Sequence, residues 1–133
     1  RVRSSVLDSY ALLAYLFRER GHETVVALLE KAAESGKNVL IAAPNWAEVR
    51  YQVQRKTSSS RWDEVRDKLL GLPIEVVPAT QDLAEIAGAI KADKKMSLAD
   101  CFAAALAKAH KAEVYTGDPE FKAVEREIKI VWL

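Results

Sequence analysis

Short apolar runs alternate with longer segments of helical period along the sequence, and this alternation restricts the fold more than any other feature. Residues 2–7, 38–43, 74–77, 113–115 and 128–131 read as strands, being short, rich in Val, Ile and Leu, and bounded by turn or cap residues. Between them lie segments with apolar residues at helical spacing. The first helix is expected over 9–20, with Leu12, Leu13, Leu16 and Phe17 on one face and Gly21 as its stop. A second covers 22–35 and ends at Gly36. A third follows Pro44 to about Lys56, and a fourth carries Trp62, Val65 and Leu69 before Gly71. Thr80 and Ser97 are placed to cap a fifth and a sixth helix, joined by a basic connection over 91–95. A short helical turn is expected from Asp118 to about Ala123. Strands joined through helices pair in parallel and need cover on both faces. The expectation is a three-layer α/β/α fold with a mostly parallel central sheet of about five strands, in a single domain over 1–133.

Composition supports a packed core. Half of the 133 residues are hydrophobic and 29% are charged, the balance of a folded soluble domain. Cys101 is the only cysteine, so no intrachain disulfide can form, and a reducing, cytoplasmic location is expected. No apolar run reaches the roughly 20 residues of a membrane span, and the opening residues lack a signal-peptide pattern. His22 and His110 lie far apart and no Cys/His group has zinc spacing. No glycine-rich phosphate loop is present, so no nucleotide cofactor is expected. Lys and Arg number 20 against 19 Asp and Glu. A near-neutral chain that contacts nucleic acid must do so through a local patch.

Four carboxylates stand out by position. Ligands of open α/β sheets gather at the carboxyl ends of the strands. Asp8 ends the first strand, and Asp118 lies three residues past the strand at 113–115. Asp100 is in the first turn of the sixth helix, and Glu48 is about one turn into the third. Each also has a local reading. Asp8 and Asp118 are placed as helix caps, Asp100 follows Ser97 as in a capping box, and Glu48 suits a solvated helix face. Together the four imply mutual repulsion and raised pKa values unless a hard cation such as Mg²⁺ or Mn²⁺ joins them.

The segments 6–16, 47–49, 97–107 and 114–121, with sequences VLDSYALLAYL, AEV, SLADCFAAALA and VYTGDPEF, resemble the PIN domain. The closest resemblance is to the toxin of VapBC toxin–antitoxin pairs, and it spans nearly the whole chain in family order. It implies a metal-dependent endoribonuclease in which Asp8, Glu48, Asp100 and Asp118 hold Mg²⁺ or Mn²⁺. Glu48 would bind the ion directly or through water. Thr116 would support the site by hydrogen bonding. In-line attack by water would leave 5′-phosphate and 3′-hydroxyl ends on RNA. A homodimer and a VapB-like antitoxin covering the cleft are further implied. Ser9 is either a supporting hydroxyl or a helix cap, and Glu120 either joins the site or is a solvated first-turn charge.

Other features keep two readings. The basic residues of 50–68 (Arg50, Arg55, Lys56, Arg61, Arg66, Lys68) and of 91–95 are solvated faces or contacts to an RNA backbone. Trp46 and Trp62 pack inward or stack on bases; Tyr10 and Tyr15 suit a protein interface. Rival functions are a PIN-like module that binds RNA or protein without cutting, and an RNA-processing nuclease outside any toxin–antitoxin pair. A phosphotransfer receiver would want an acidic neighbour for Asp8 and a lysine after the strand at 113–115. A phosphatase would often carry an Asp where Tyr10 stands. Neither pattern is present.

Overall fold

The computed structural model describes residues 3–133. Its strands are β1 (Ser5–Leu7), β2 (Val39–Ala42), β3 (Ile74–Val77), β4 (Glu113–Thr116) and β5 (Ile130–Trp132). Six α-helices connect them: α1 (Ser9–Phe17), α2 (His22–Ser35), α3 (Ala43–Lys56), α4 (Ser59–Leu70), α5 (Gln81–Asp93) and α6 (Leu98–His110). A 3₁₀ helix, Pro119–Val124, lies between β4 and β5. The sheet order is β3-β2-β1-β4-β5 and every pairing is parallel. This is the three-layer α/β/α arrangement expected from the alternation.

Strand side chains alternate between two cores, as the pleat requires. Val6, Leu40, Ala42 and Val114 face α5, α6 and the 3₁₀ helix. Leu7, Val39, Ile41 and Ile74 face α1 to α4. The sheet is thus buried on both sides, which explains the near-continuous apolar runs of β1 and β2. On α6, residues 100–107 are all buried, four of them alanines, so the helix backbone lies close to the sheet and to α5.

Several boundaries differ from the sequence expectation for local reasons. β1 pairs only over Ser5–Leu7, and the expected start at Val2 lies outside the described residues. α1 stops at Phe17 because Arg18 turns into the left-handed region (φ 54°), where its N–H bonds the Ala14 carbonyl. Gly21 (φ 93°) then opens α2, and a Cβ there would meet Leu133 at 2.6 Å. Lys91 to Asp93 belong to α5 rather than to a connection. Ile128 is drawn back to the Val124 carbonyl at 2.9 Å, so β5 begins only at Ile130.

Trp62 is buried in the α1–α4 core and meets Trp46 edge-on at 5.5 Å. That position removes Trp62 as a stacking surface for bases. Close packing of α6 predicts that Ala104→Leu, which forces extra volume against the sheet, costs about 1–3 kcal/mol. Urea denaturation followed by circular dichroism checks this.

Candidate active site

The sheet order places β1 beside β4. Chain leaving β1 enters α1 on one face, while chain leaving β4 enters the 3₁₀ helix on the other. Such a reversal leaves a crevice at the carboxyl ends of the two strands. Asp8 follows β1 directly, and Thr116, Gly117 and Asp118 follow or end β4.

Asp8 is fully buried and caps α1, its Oδ1 accepting the Ala11 N–H at 2.9 Å. Its Oδ2 accepts the buried Thr116 hydroxyl at 2.5 Å. Thr116 Oγ1 also accepts the Asp118 N–H at 2.9 Å, so one hydroxyl ties both aspartates to the end of β4. Asp118 caps the 3₁₀ helix by accepting the Glu120 N–H at 2.9 Å. Glu48, half-buried on α3, accepts the Ser9 hydroxyl at 2.6 Å across 39 residues of sequence. Ser9 is therefore a partner of Glu48 and not the cap of α1.

Ser97 caps α6 by accepting the Asp100 N–H at 3.3 Å. The reciprocal half of a capping box is missing from Asp100. Glu120 supplies it instead, accepting the Ser97 N–H at 2.8 Å. Asp100 is thereby released toward Asp118. One carboxylate oxygen from each of Asp100, Asp118 and Glu120 lies within 4.8 Å of the other two. Glu120, read from sequence as either a site member or a solvated charge, stands inside the acidic group while remaining solvent-exposed. No local signal could have shown this, because its partner Ser97 is 23 residues away.

Burial and like charge set the electrostatics. Burial pushes the Asp8 carboxyl up to about 7, against the lowering effect of the Thr116 and Ala11 hydrogen bonds, with Asp118 and Glu48 adding repulsion. Asp100 rises further, to about 9, through burial first, then its hydrogen bonds with Asp118 and Glu120 and the charges of Asp118 and Asp8. Glu120 moves down because the Ser97 N–H, Asp100 and Lys91 all favour its charged form. These mutual influences place Asp8, Glu48, Asp100, Asp118 and Glu120 in one electrostatic neighbourhood.

An all-carboxylate donor set with two buried, reluctantly ionised members fits a hard divalent cation. Each Asp8 oxygen already accepts one hydrogen bond and retains a second lone pair. Both histidines lie elsewhere: His22 stacks on Tyr15, and His110 ends α6. Beside Asp118 and Glu48 opens a cleft of about 270 Å³. Roomier depressions of about 480 and 750 Å³ hold none of the five acids. At the first turn of α3, Asn45 is fully buried and its amide atoms have no partner among the described residues, a feature the sequence reading did not single out.

Raised carboxyl pKa values have a definite sign in stability. Between the ordinary value of 3.8 and the folded values of about 7 and about 9, the native state binds more protons than the unfolded chain. Metal-free stability then falls as pH rises through that window. With chelator present, Asp100→Asn should flatten the fall and exceed the parent at about pH 8 by about 1–3 kcal/mol. Calorimetric unfolding across pH checks the result; a parent profile that matches the variant's would contradict it.

The PIN domain family model matches residues 5–127. A search of curated protein sequences finds no match. Among solved structures, VapBC2 from Rickettsia felis, bound to a DNA fragment from its promoter, aligns with a TM-score of 0.75 at 17% identity. That alignment covers 97% of this chain and 98% of the other. A chain of a toxin–antitoxin complex from Klebsiella pneumoniae aligns at 0.66 and 23% identity, covering 96% of each chain. VapC20 of Mycobacterium tuberculosis, a Sarcin-Ricin loop cleaving toxin, aligns at 0.69 and 18%, covering 91% of this chain and 95% of that one. The family match over nearly the whole sequence, on this sheet order, establishes that the chain belongs to the PIN domain family.

Proposed function

We propose that the chain is a Mg²⁺- or Mn²⁺-dependent endoribonuclease and the toxin of a toxin–antitoxin pair. The observation that carries this reading is the meeting of buried Asp8 and Asp100 with Asp118 and Glu48 at the crevice between β1 and β4. A bound divalent cation supplies positive charge that offsets these carboxylates and the phosphate of the substrate. Asp100, Asp118 and Glu120 offer oxygen ligands within 4.8 Å of one another, and buried Asp8, tied to Asp118 through Thr116, offers a further one. Thr116 fixes Asp8 and Asp118 in mutual register. Ser9 occupies one oxygen of Glu48, leaving the other to orient the attacking water and accept its proton. The water oxygen bonds to phosphorus as the P–O3′ bond breaks, and the departing O3′ takes a proton from solvent, giving 5′-phosphate and 3′-hydroxyl ends.

The toxin assignment is supported by family membership and by the toxin–antitoxin origin of the compared structures. It carries with it a VapB-like antitoxin, a homodimer and a cytoplasmic setting. Exposed Tyr51, Leu70, Leu98 and Trp132 supply apolar surface for such contacts. No helix among the described residues is long and apolar enough to cross a membrane.

RNA incubated with the purified chain should be cut with Mg²⁺ or Mn²⁺ and spared with chelator. Asp8→Asn and Asp100→Asn should each slow cutting by about a hundredfold or more. Cleavage that persists in both variants sinks the assignment. Co-expression with the product of a small adjacent reading frame should silence the activity if the antitoxin reading holds.

A further inference from the structure

The basic residues around α3 and α4 divide sharply once their partners are known. Arg61 pairs with Glu64, and Arg66 pairs with Asp63 and Asp67. Arg50 bonds Gln54 and lies 6.0 Å from the Trp62 ring centre, and Arg55 covers Tyr51 at 4.7 Å. Lys68 lines a different depression, beside Tyr15 and Leu72. Lys56 alone among these lines the acidic cleft. Its ammonium rests 4.5 Å from the centre of the Phe17 ring, and no carboxylate among the described residues pairs with it.

Glu48, Gln52 and Lys56 fall at i, i+4 and i+8 and all line the cleft, while Val49 and Val53 face the core. The row runs about 12 Å along α3, from the acidic group toward the basic end. Gln52 makes no hydrogen bond among the described residues, so its amide is available to a ligand. Tyr10 of α1, 38% exposed, lines the same cleft. Its ring lies against the backbone of Gly117, where a Cβ would meet Tyr10 Cε1 at 2.3 Å. Glycine at that position leaves room for the hydroxyl end of the ring beside Asp118, while the residue stays partly exposed.

We propose that this cleft is a track for a single RNA strand, with Lys56 holding a phosphate that neighbours the scissile one and Tyr10 stacking on a base beside it. The proposal rests on the nuclease reading of the same site and adds the residues that position its substrate. The cation–π contact with Phe17 holds the lysine in place before RNA arrives, so less side-chain freedom is lost on binding. Stacking on Tyr10 tolerates any base, as a strand-tracking contact requires. Glu19, also lining the cleft, sets a repulsive limit on where the backbone can run.

The test uses the full chain carrying Asp8→Asn, whose slowed cutting leaves the RNA intact over the minutes of a binding measurement. Anisotropy of a short fluorescein-labelled single-stranded RNA of mixed sequence is read across salt concentrations with Mg²⁺ present. Adding Lys56→Gln should weaken binding about tenfold and reduce the salt slope by about 0.7. Tyr10→Ala should weaken binding about fivefold or more, and Tyr10→Phe should restore it. In chains with Asp8 intact, the same changes should raise KM and leave kcat nearly unchanged. Unchanged affinity and salt slope in Lys56→Gln, with thermal stability retained, would overturn the phosphate contact. Equal losses in Tyr10→Ala and Tyr10→Phe would overturn the stacking contact. RNA binding with these patterns, but no cleavage by the parent, would remove the nuclease reading and leave the track standing.

Discussion

Two buried aspartates that resist ionisation govern this protein. Asp8 and Asp100 sit where burial and neighbouring acids both oppose negative charge, and the hydrogen bonds to Asp8 only partly relieve that opposition. A packed domain with marginal net stability does not gather such groups without cost. The arrangement around them is built to hold them in place: Thr116 bridges Asp8 and Asp118, Ser9 fixes Glu48, and Glu120 takes over the cap that would otherwise occupy Asp100. Under the proposed function, a divalent cation would turn this electrostatic strain into the means of binding a phosphodiester.

Local structure and the site share the same residues. Asp8 and Asp118 are helix caps, as a local reading of the sequence allows, and they are also members of the acidic group. Capping and ligation do not compete, because a carboxylate has lone pairs for both. Capping also selects a rotamer, so each helix start aims its acid at the crevice between β1 and β4. The topology then brings together four strand and helix ends that are far apart in sequence.

Much of this was legible beforehand. Strand–helix alternation is strong enough to give the parallel sheet and its two covered faces, and position in the chain marks Asp8, Glu48, Asp100 and Asp118 as candidates near the carboxyl edge of that sheet. Features that depend on tertiary crossing were not legible. The Glu120 bond to Ser97 and the Ser9 bond to Glu48 span 23 and 39 residues, beyond any local pattern. Helix α1 ends early because Arg18 adopts a left-handed conformation, a choice its residue type does not announce. The basic stretch of 50–68 is interrupted in sequence by Asp63, Glu64 and Asp67, but sequence does not say which cations those acids and the nearby rings occupy; in the fold they leave Lys56 at the cleft.

The central claim is that these carboxylates form a divalent-cation site. Calorimetric titration of Mn²⁺ in buffers of different ionisation enthalpy tests it most directly, because ligands that hold protons must release them on binding. At neutral pH the parent should release about one proton or more per ion bound, with Asp100 the main source. Asp100→Asn should bind more weakly and release about one fewer. Mn²⁺ binding by the parent without proton release, or binding unaffected by Asp100→Asn, would contradict the account.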